Sequence, residues 1–338
     1  MTPEEEKLER ALLLDEQSLE RLEGGLPAAA EPCCREALAL FEELDGPVHP
    51  DCANMLQRLS AILEAQGRYG EAEACAARAV AIMDEVAALV EGPEVALIHI
   101  ESLGRWGTAL RQQGRYGEAE PALRRAVERA EKHGDAALLA GALNDLGVLC
   151  KYRGQFEEGE RVYRRALALA MEAHGERHTA VAAIYHNLGG LEHARGNFAA
   201  GEAPARRACE IRRELLGPEH PDSVADECAY AGLLDGLGRY AESRPIYQRA
   251  LGIFERHYGP EHFEIAATLH NLSGVDAAEG DLDTAWRRAA RALEIKEKLL
   301  GADHPEWALT ACHLASILRR RARVVFRATG LDSAEDLT

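Results

Sequence analysis

Apolar residues recur along this chain at three- and four-residue steps, in stretches that each run into a glycine. Leu56, Leu59 and Leu63 precede Gly67. Leu143, Leu146 and Cys150 precede Gly154, and Leu269, Leu272 and Val275 precede Gly280. Such steps place the apolar side chains on one face of an α-helix. A glycine at the end of that helix can take the positive φ of a C-cap without steric cost. Each stretch is therefore expected to be a helix A, followed after a tight elbow by a helix B.

The unit repeats. Gly67-Arg68-Tyr69, Gly114-Arg115-Tyr116, Gly154-Gln155-Phe156, Gly196-Asn197-Phe198, Gly238-Arg239-Tyr240 and Gly280-Asp281-Leu282 align, with glycines 47, 40, 42, 42 and 42 residues apart. Gly25 extends the series by one more step of 42. Twelve residues after each glycine stands an alanine: Ala37, Ala79, Ala126, Ala166, Ala208, Ala250 and Ala292. Six of these follow an arginine (Arg78, Arg125, Arg165, Arg207, Arg249, Arg291). A fixed alanine is expected where two helices approach closely, and the aromatic after the glycine is expected to plug the elbow.

Stop signals close the B helices. Leu216-Gly217-Pro218-Glu219-His220-Pro221 is the fullest, and Asp45-Gly46-Pro47-Val48-His49-Pro50, Tyr258-Gly259-Pro260 and Leu300-Gly301-Ala302-Asp303-His304-Pro305 repeat it. Gly and Pro end a helix, and the following acid favours the start of the next. The alternation resembles tetratricopeptide repeats. The 42-residue period and the Leu-Gly-Pro-Glu-His-Pro linker resemble the kinesin-light-chain type, over roughly residues 4–323. The resemblance implies an all-α, right-handed superhelical solenoid whose A helices line a concave face that binds protein or peptide.

On this reading residues 1–45 form a degenerate first hairpin, with Leu13, Leu14 and Leu19 as its A-helix apolar residues and Pro27 in place of the aromatic. Six repeats fill 46–305, making seven hairpins in all. A closing helix at 306–327 carries Leu314, Ile317 and Leu318 and caps the last apolar face. Residues 328–338 form a flexible acidic tail. The 47-residue spacing implies a longer linker near Val90 to Glu94, and the 40-residue spacing a clipped one at Gly134-Asp135.

Composition narrows the function. Aromatics are only 5 %, which suits helices packed through Ala and Leu. The formal net charge of −18 disfavours nucleic acid and anionic membrane. No basic n-region or apolar h-region opens the chain, and no apolar run is long enough for a membrane span. The eight cysteines form no CxxC pair and read as reduced thiols, mostly small core residues. These features, with an Ala- and Arg-rich usage, lead to the expectation of a cytoplasmic, bacterial protein.

Catalytic and cofactor motifs are not expected. Gly236-Leu237-Gly238-Arg239-Tyr240-Ala241 matches GxGxxA, but a dinucleotide turn must follow a strand, and here it falls between two helices. His49, His220 and His304 belong to the linker phrase and read as turn residues. His186 and His270 share a register position with Cys228 and Cys312, but equivalent positions in neighbouring repeats, about two helix spacings apart, are too distant to share a tetrahedral zinc ion easily. No metal, cofactor or Cys–His nucleophile pair is therefore expected.

Recognition remains. The resemblance implies that residues 13, 10, 9, 6, 3 and 2 before each glycine face the groove, with asparagines at 10 and 9 holding the backbone of an extended ligand. That selects Asn144, Asn187 and Asn271, whose amides offer both donors and acceptors. Gln57, Arg58, Arg105, Asp145, His186, His270 and His313 hold the same two positions elsewhere, and Cys228 and Ala229 interrupt them. His193 stands at position 3. Position 6 is Gly190, Gly232 and Gly274 in succession, which reads either as a smooth floor for a ligand or as close helix packing. Arg58, Arg105, Lys151 and Arg319 would make the groove locally basic and suit an acidic ligand or free carboxylate. Residues 1–25 carry eight acids and three bases, whereas 307–331 has no acid and includes Arg319, Arg320, Arg321, Arg323 and Arg327. That basic run reads as a solvated face, an acidic-partner patch or a means of self-association. The expected function is a non-enzymatic adaptor that binds a peptide or protein segment in the groove. The alternative is a regulator of an effector such as a protease, transcription factor or cytoskeletal filament, acting through edges or termini.

Overall fold

The computed structural model describes residues 2–90 and 92–329, without the side chains of 325 and 327–329. Its described residues form fifteen α-helices and no strand. The chain divides into two compact units, Met1–Glu176 and Arg177–Thr338.

The first unit holds four helical hairpins: α1 (Pro3–Glu23) with α2 (Pro27–Asp45), α3 (Pro50–Ala65) with α4 (Tyr69–Leu89), α5 (Pro93–Gln112) with α6 (Tyr116–His133), and α7 (Ala136–Tyr152) with α8 (Phe156–His174). The second holds α9 (Thr179–Arg195) with α10 (Phe198–Leu216), α11 (Pro221–Gly236) with α12 (Tyr240–Tyr258), α13 (Phe263–Glu279) with α14 (Leu282–Leu300), and α15 (Pro305–Thr329). Within each unit the paired A helices pack on their own B helices, and α1 packs on α3, α3 on α5, α5 on α7, α9 on α11 and α11 on α13, while α15 packs on α14.

The sequence register maps directly onto this packing. All seven repeat glycines take positive φ, from 71° at Gly154 to 94° at Gly280, where an L side chain would be strained. All seven repeat alanines are fully buried. The arginine before them points outward and pairs, in four cases, with an acid on the preceding B helix: Arg78 with Glu42, Arg125 with Asp84, Arg165 with Glu131 and Arg291 with Glu255. Exposed pairs of this kind contribute little individually.

The linker histidines are helix N-caps. The Nδ1 atoms of His49, His178, His220, His262 and His304 each accept a hydrogen bond from the backbone N–H two residues on, at 3.1–3.4 Å. An imidazole nitrogen here does what a Ser or Asp oxygen usually does.

Four expectations change. In α1, Leu13 and Leu19 are exposed, and Ala11 and Ser18 are buried instead. A terminal helix packs through one face only, and seven-residue spacing sets that face. Leu318 of α15 is exposed while Ile317 is buried. The elbow aromatic also reaches beyond its elbow: Tyr116 stacks on Tyr152 at the end of the next A helix, with ring centroids 5.6 Å apart. The extra residues of the 47-residue step are taken up by lengthening α4 to 21 residues and α5 to 20, so the link between them is short. The clipped link at Gly134-Asp135 is present, and Asp135 caps α7 through Leu138 N–H. From residue 330 the acidic tail lies outside the described residues.

Candidate functional site

In the first unit a cavity of about 830 Å³ opens along α3, α5 and α7. Gln57 comes from α3, Glu101, Gly104, Arg105 and Thr108 from α5, and Gly141 and Asp145 from α7, with His133 and Asp135 at the short α6–α7 link. The A helices present these residues because their opposite faces are committed to the core, where Leu59, Leu103 and Leu143 are buried.

Three of the residues expected to face the groove, Gln57, Arg105 and Asp145, line this cavity. The Gln57 amide donates to Ser102 Oγ at 3.0 Å, which ties α3 to α5. Arg105 pairs with Glu64 at 3.3 Å, and Arg58 pairs with Asp15 of α1 at 2.9 Å. The guanidinium groups expected to make this groove basic are thus already compensated. The acids are less so. Burial pushes the Asp145 carboxyl up to about 6 despite nearby Arg111 and Arg105 and a hydrogen bond from Asn144. Burial also raises Glu101 and Glu64 against the opposing pull of Arg105. Desolvation wins over attraction at each. Lys151 lies at the end of α7, its ammonium 4.9 Å from the Tyr152 ring centroid.

In the second unit the expected residues fall on α9, α11, α13 and α15. His186 Nδ1 lies 2.6 Å from Asp226 Oδ1, which also accepts from Arg212 at 3.0 Å. Asp226 is buried, so this carboxylate joins α9, α10 and α11. His270 and His313 stand with ring centroids 4.7 Å apart. Thr310 Oγ1 is 3.2 Å from His270 Nδ1, and Ser273 Oγ is 2.8 Å from His313 Nε2. Burial pushes His270 down to about 4 and lowers His313, so both rings are neutral near pH 7. Asn187 and Asn271 are half-buried, His193 is exposed at the end of α9, and Arg319 is exposed on α15. Cys228 is a core residue whose thiol burial pushes up to about 12, the wrong direction for a nucleophile.

The glycines divide in a way the sequence left open. Gly190, Gly232 and Gly274 are half-buried. A Cβ on Gly232 would meet His193 and Tyr247 at 3.5–3.7 Å, and one on Gly274 only His313 at 4.0 Å. Both are ordinary contacts, so helix packing does not require glycine there. The packing glycines sit one residue earlier. A Cβ on Gly107 or Gly147 would fall 2.5 Å from Leu123 or Tyr163, and one on Gly189 3.0 Å from Ala205 Cβ.

Among the described residues, Asp45, His49 and Asp51 form the one group with ligand atoms close enough to share a metal ion. His49 Nδ1 is already engaged as the α3 cap. Asp145, already placed by the register at position 9 of its repeat, lines the first-unit cavity, and so does Glu101, which stands at groove-facing position 13 but was not singled out. Asp135 lay outside the expected register.

The tetratricopeptide-repeat family model matches residues 21–85, 99–158, 138–214, 181–256 and 225–298. The chain belongs to the tetratricopeptide-repeat family. No curated protein matches it. Among solved structures it is similar to BtubC (BKLC) from P. vanneervenii, at 24 % identity and TM-score 0.54, covering 69 % of this chain and 92 % of that one. It is similar to the apo form of RapI at 13 % identity and TM-score 0.64, covering 86 % and 98 %. It is also similar to the Rap conjugation gene regulator of plasmid pLS20, solved with the Phr* peptide, at 15 % identity and TM-score 0.65, covering 83 % and 72 %. These likenesses establish a repeat solenoid. No helix among the described residues is long and apolar enough to cross a membrane.

Proposed function

We propose that this protein is a non-enzymatic interaction scaffold of the cytoplasm that holds a peptide or protein segment along the concave, A-helix face of its repeats. The observation that carries this reading is the roomy, polar A-helix surface. In the first unit the cavity gathers Gln57, Arg105 and carboxylates over an apolar floor. In the second, Asn187, Asn271, His186, His270 and His313 lie half-buried, and a Cβ on Gly232 of α11 or Gly274 of α13 would make only ordinary contacts. Half-buried amides can pair with an extended backbone without being released from deep burial. The peptide bound to the pLS20 regulator, which has the same fold, supports this reading.

Replacing Asn187 and Asn271 together by alanine tests it. Lost hydrogen-bond partners of this kind cost about 1–3 kcal/mol, roughly 5- to 150-fold in affinity. Capture from host lysate followed by mass spectrometry would compare wild type with the double variant. A partner lost only from the folded double variant supports the groove. A partner kept by both, together with an intact fold, removes it.

That second outcome would favour a regulator acting through its end helices. Leu8, Leu12, Leu13 and Leu19 are exposed on α1, and Leu309, Leu318, Val324 and Phe326 on α15. Exposed apolar rows of this kind are found at interaction surfaces.

A further inference from the structure

We propose that the cavity along α3, α5 and α7 receives a cationic side chain, Lys or Arg, of an extended peptide, with Glu101, Asp135 and Asp145 as its counter-charges. The inference rests on the groove-binding reading and names the ligand chemistry of its first-unit portion.

The charge balance points this way. The lining includes three acids against one arginine, and that arginine is held by Glu64. Glu64 uses Oε2 for this pair, while its Oε1 is buried without a hydrogen-bond partner. With Arg111 beside Asp145 counted as well, four acids (Glu64, Glu101, Asp135 and Asp145) face two arginines, so the patch holds more negative charge than its own cations neutralise. A ligand cation would supply what is missing, and an acidic ligand would be repelled. The whole chain, at −18, steers diffusing ligands in the same sense.

The shape agrees. Gly104 leaves room beside the Asp145 carboxylate, which lines the cavity: a Cβ there would stand 3.4 Å from Oδ2. Nothing lies within 4 Å of a Cβ on Gly141, so the α7 rim is open as well. Among the described residues, these three carboxylates do not converge closely enough to share one metal ion. Spread acids along a cavity suit a long side chain whose apolar stem lies on Leu97, Ile100 and Leu138 while its charged end meets the acids.

Binding should depend on pH. Asp145 is faced by Glu64 of α3, Arg105 and Arg111 of α5, Tyr163 of α8 and its neighbour Asn144. With its carboxyl raised to about 6, a bound cation lowers that value and favours the ionised form. Affinity then falls as pH drops from 7.5 to 5.

A random-peptide display library, selected on the full-length chain, tests the proposal without presupposing a ligand. The expected result is enrichment of Lys or Arg at one position. A synthetic enriched peptide, followed by fluorescence anisotropy, should then lose at least about tenfold in affinity when that residue becomes Met, or when the protein carries Asp145→Asn or Glu101→Gln. Binding should weaken between 50 and 500 mM NaCl, and Glu294→Gln in the second unit should leave it unchanged. Circular dichroism establishes that each variant is folded. Enrichment of acidic or purely apolar peptides, or affinity insensitive to Asp145→Asn and Glu101→Gln, overturns the cationic site and leaves the groove reading standing. Failure of the folded chain to select any peptide overturns both.

Discussion

Gly147 and Gly232 occupy A helices one register step apart, at positions 7 and 6 before their repeat glycines, and the same substitution should act oppositely at each. Alanine inside a helix is favoured over glycine by about 1 kcal/mol. At Gly147 a Cβ would lie 2.5, 2.7 and 2.8 Å from three ring atoms of Tyr163, which is fully buried. Restoring ordinary contact requires the ring or α7 to shift by about 1 Å in a close-packed interior, where overpacking costs roughly 1–3 kcal/mol. Three simultaneous clashes place the cost at the upper end, so Gly147→Ala should destabilise by about 1–2 kcal/mol. At Gly232 the new Cβ meets nothing closer than 3.5 Å, so Gly232→Ala should keep most of its gain, about 0.5–1 kcal/mol. Urea melts of both variants, fitted with a common slope, measure the difference. A neutral or stabilising Gly147→Ala, or a Gly232→Ala that destabilises by more than about 1 kcal/mol, would refute the division between packing and surface glycines.

Other consequences are as direct. Ala250→Leu, at a fully buried repeat alanine, should overpack the α11–α12–α13 core and cost about 1–3 kcal/mol or more by denaturant melt. His220→Ala should cost about 0.5–2 kcal/mol through loss of the α11 cap, and His220→Asn should restore it. Arg212→Leu should cost about 3–5 kcal/mol, because it leaves buried Asp226 without its guanidinium partner; an unchanged melt would show that His186 alone compensates it. His270 is held near 4 in the folded chain against about 6.5 unfolded, so its neutral form contributes stability above pH 6.5 that is lost as pH falls towards 4. The full loss is at most about 3 kcal/mol. The stability difference between wild type and His270→Gln, followed from pH 7.5 to 4, reads that slope.

The sequence already contained the local part of this architecture. Recurrent Leu steps, repeat glycines and buried alanines specify helix, elbow and close approach through interactions a few residues apart, so they are readable without coordinates. The caps were partly legible: His49, His220 and His304 stood out as turn residues, but an imidazole accepting from the N–H two residues on becomes visible only with backbone geometry. The candidate site was legible as a register, which is how Gln57 and Arg105 were found, and it was not legible as a charge. Arg58 and Arg105 look cationic along the chain, whereas their partners Asp15 and Glu64 lie 43 and 41 residues earlier and meet them only through helix stacking.

The glycines show the same boundary most sharply. The sequence by itself determined that the chain is a run of helical hairpins in a repeating frame, because periodicity and capping act over one or two turns. Only the tertiary structure decided that Gly147 packs against Tyr163 while a Cβ at Gly232 would make only ordinary contacts, and that Asp145 and Glu101 carry incompletely compensated charge in a cavity. Contact distance, desolvation and charge pairing are sums over neighbours brought together by folding, and no single stretch of chain contains them.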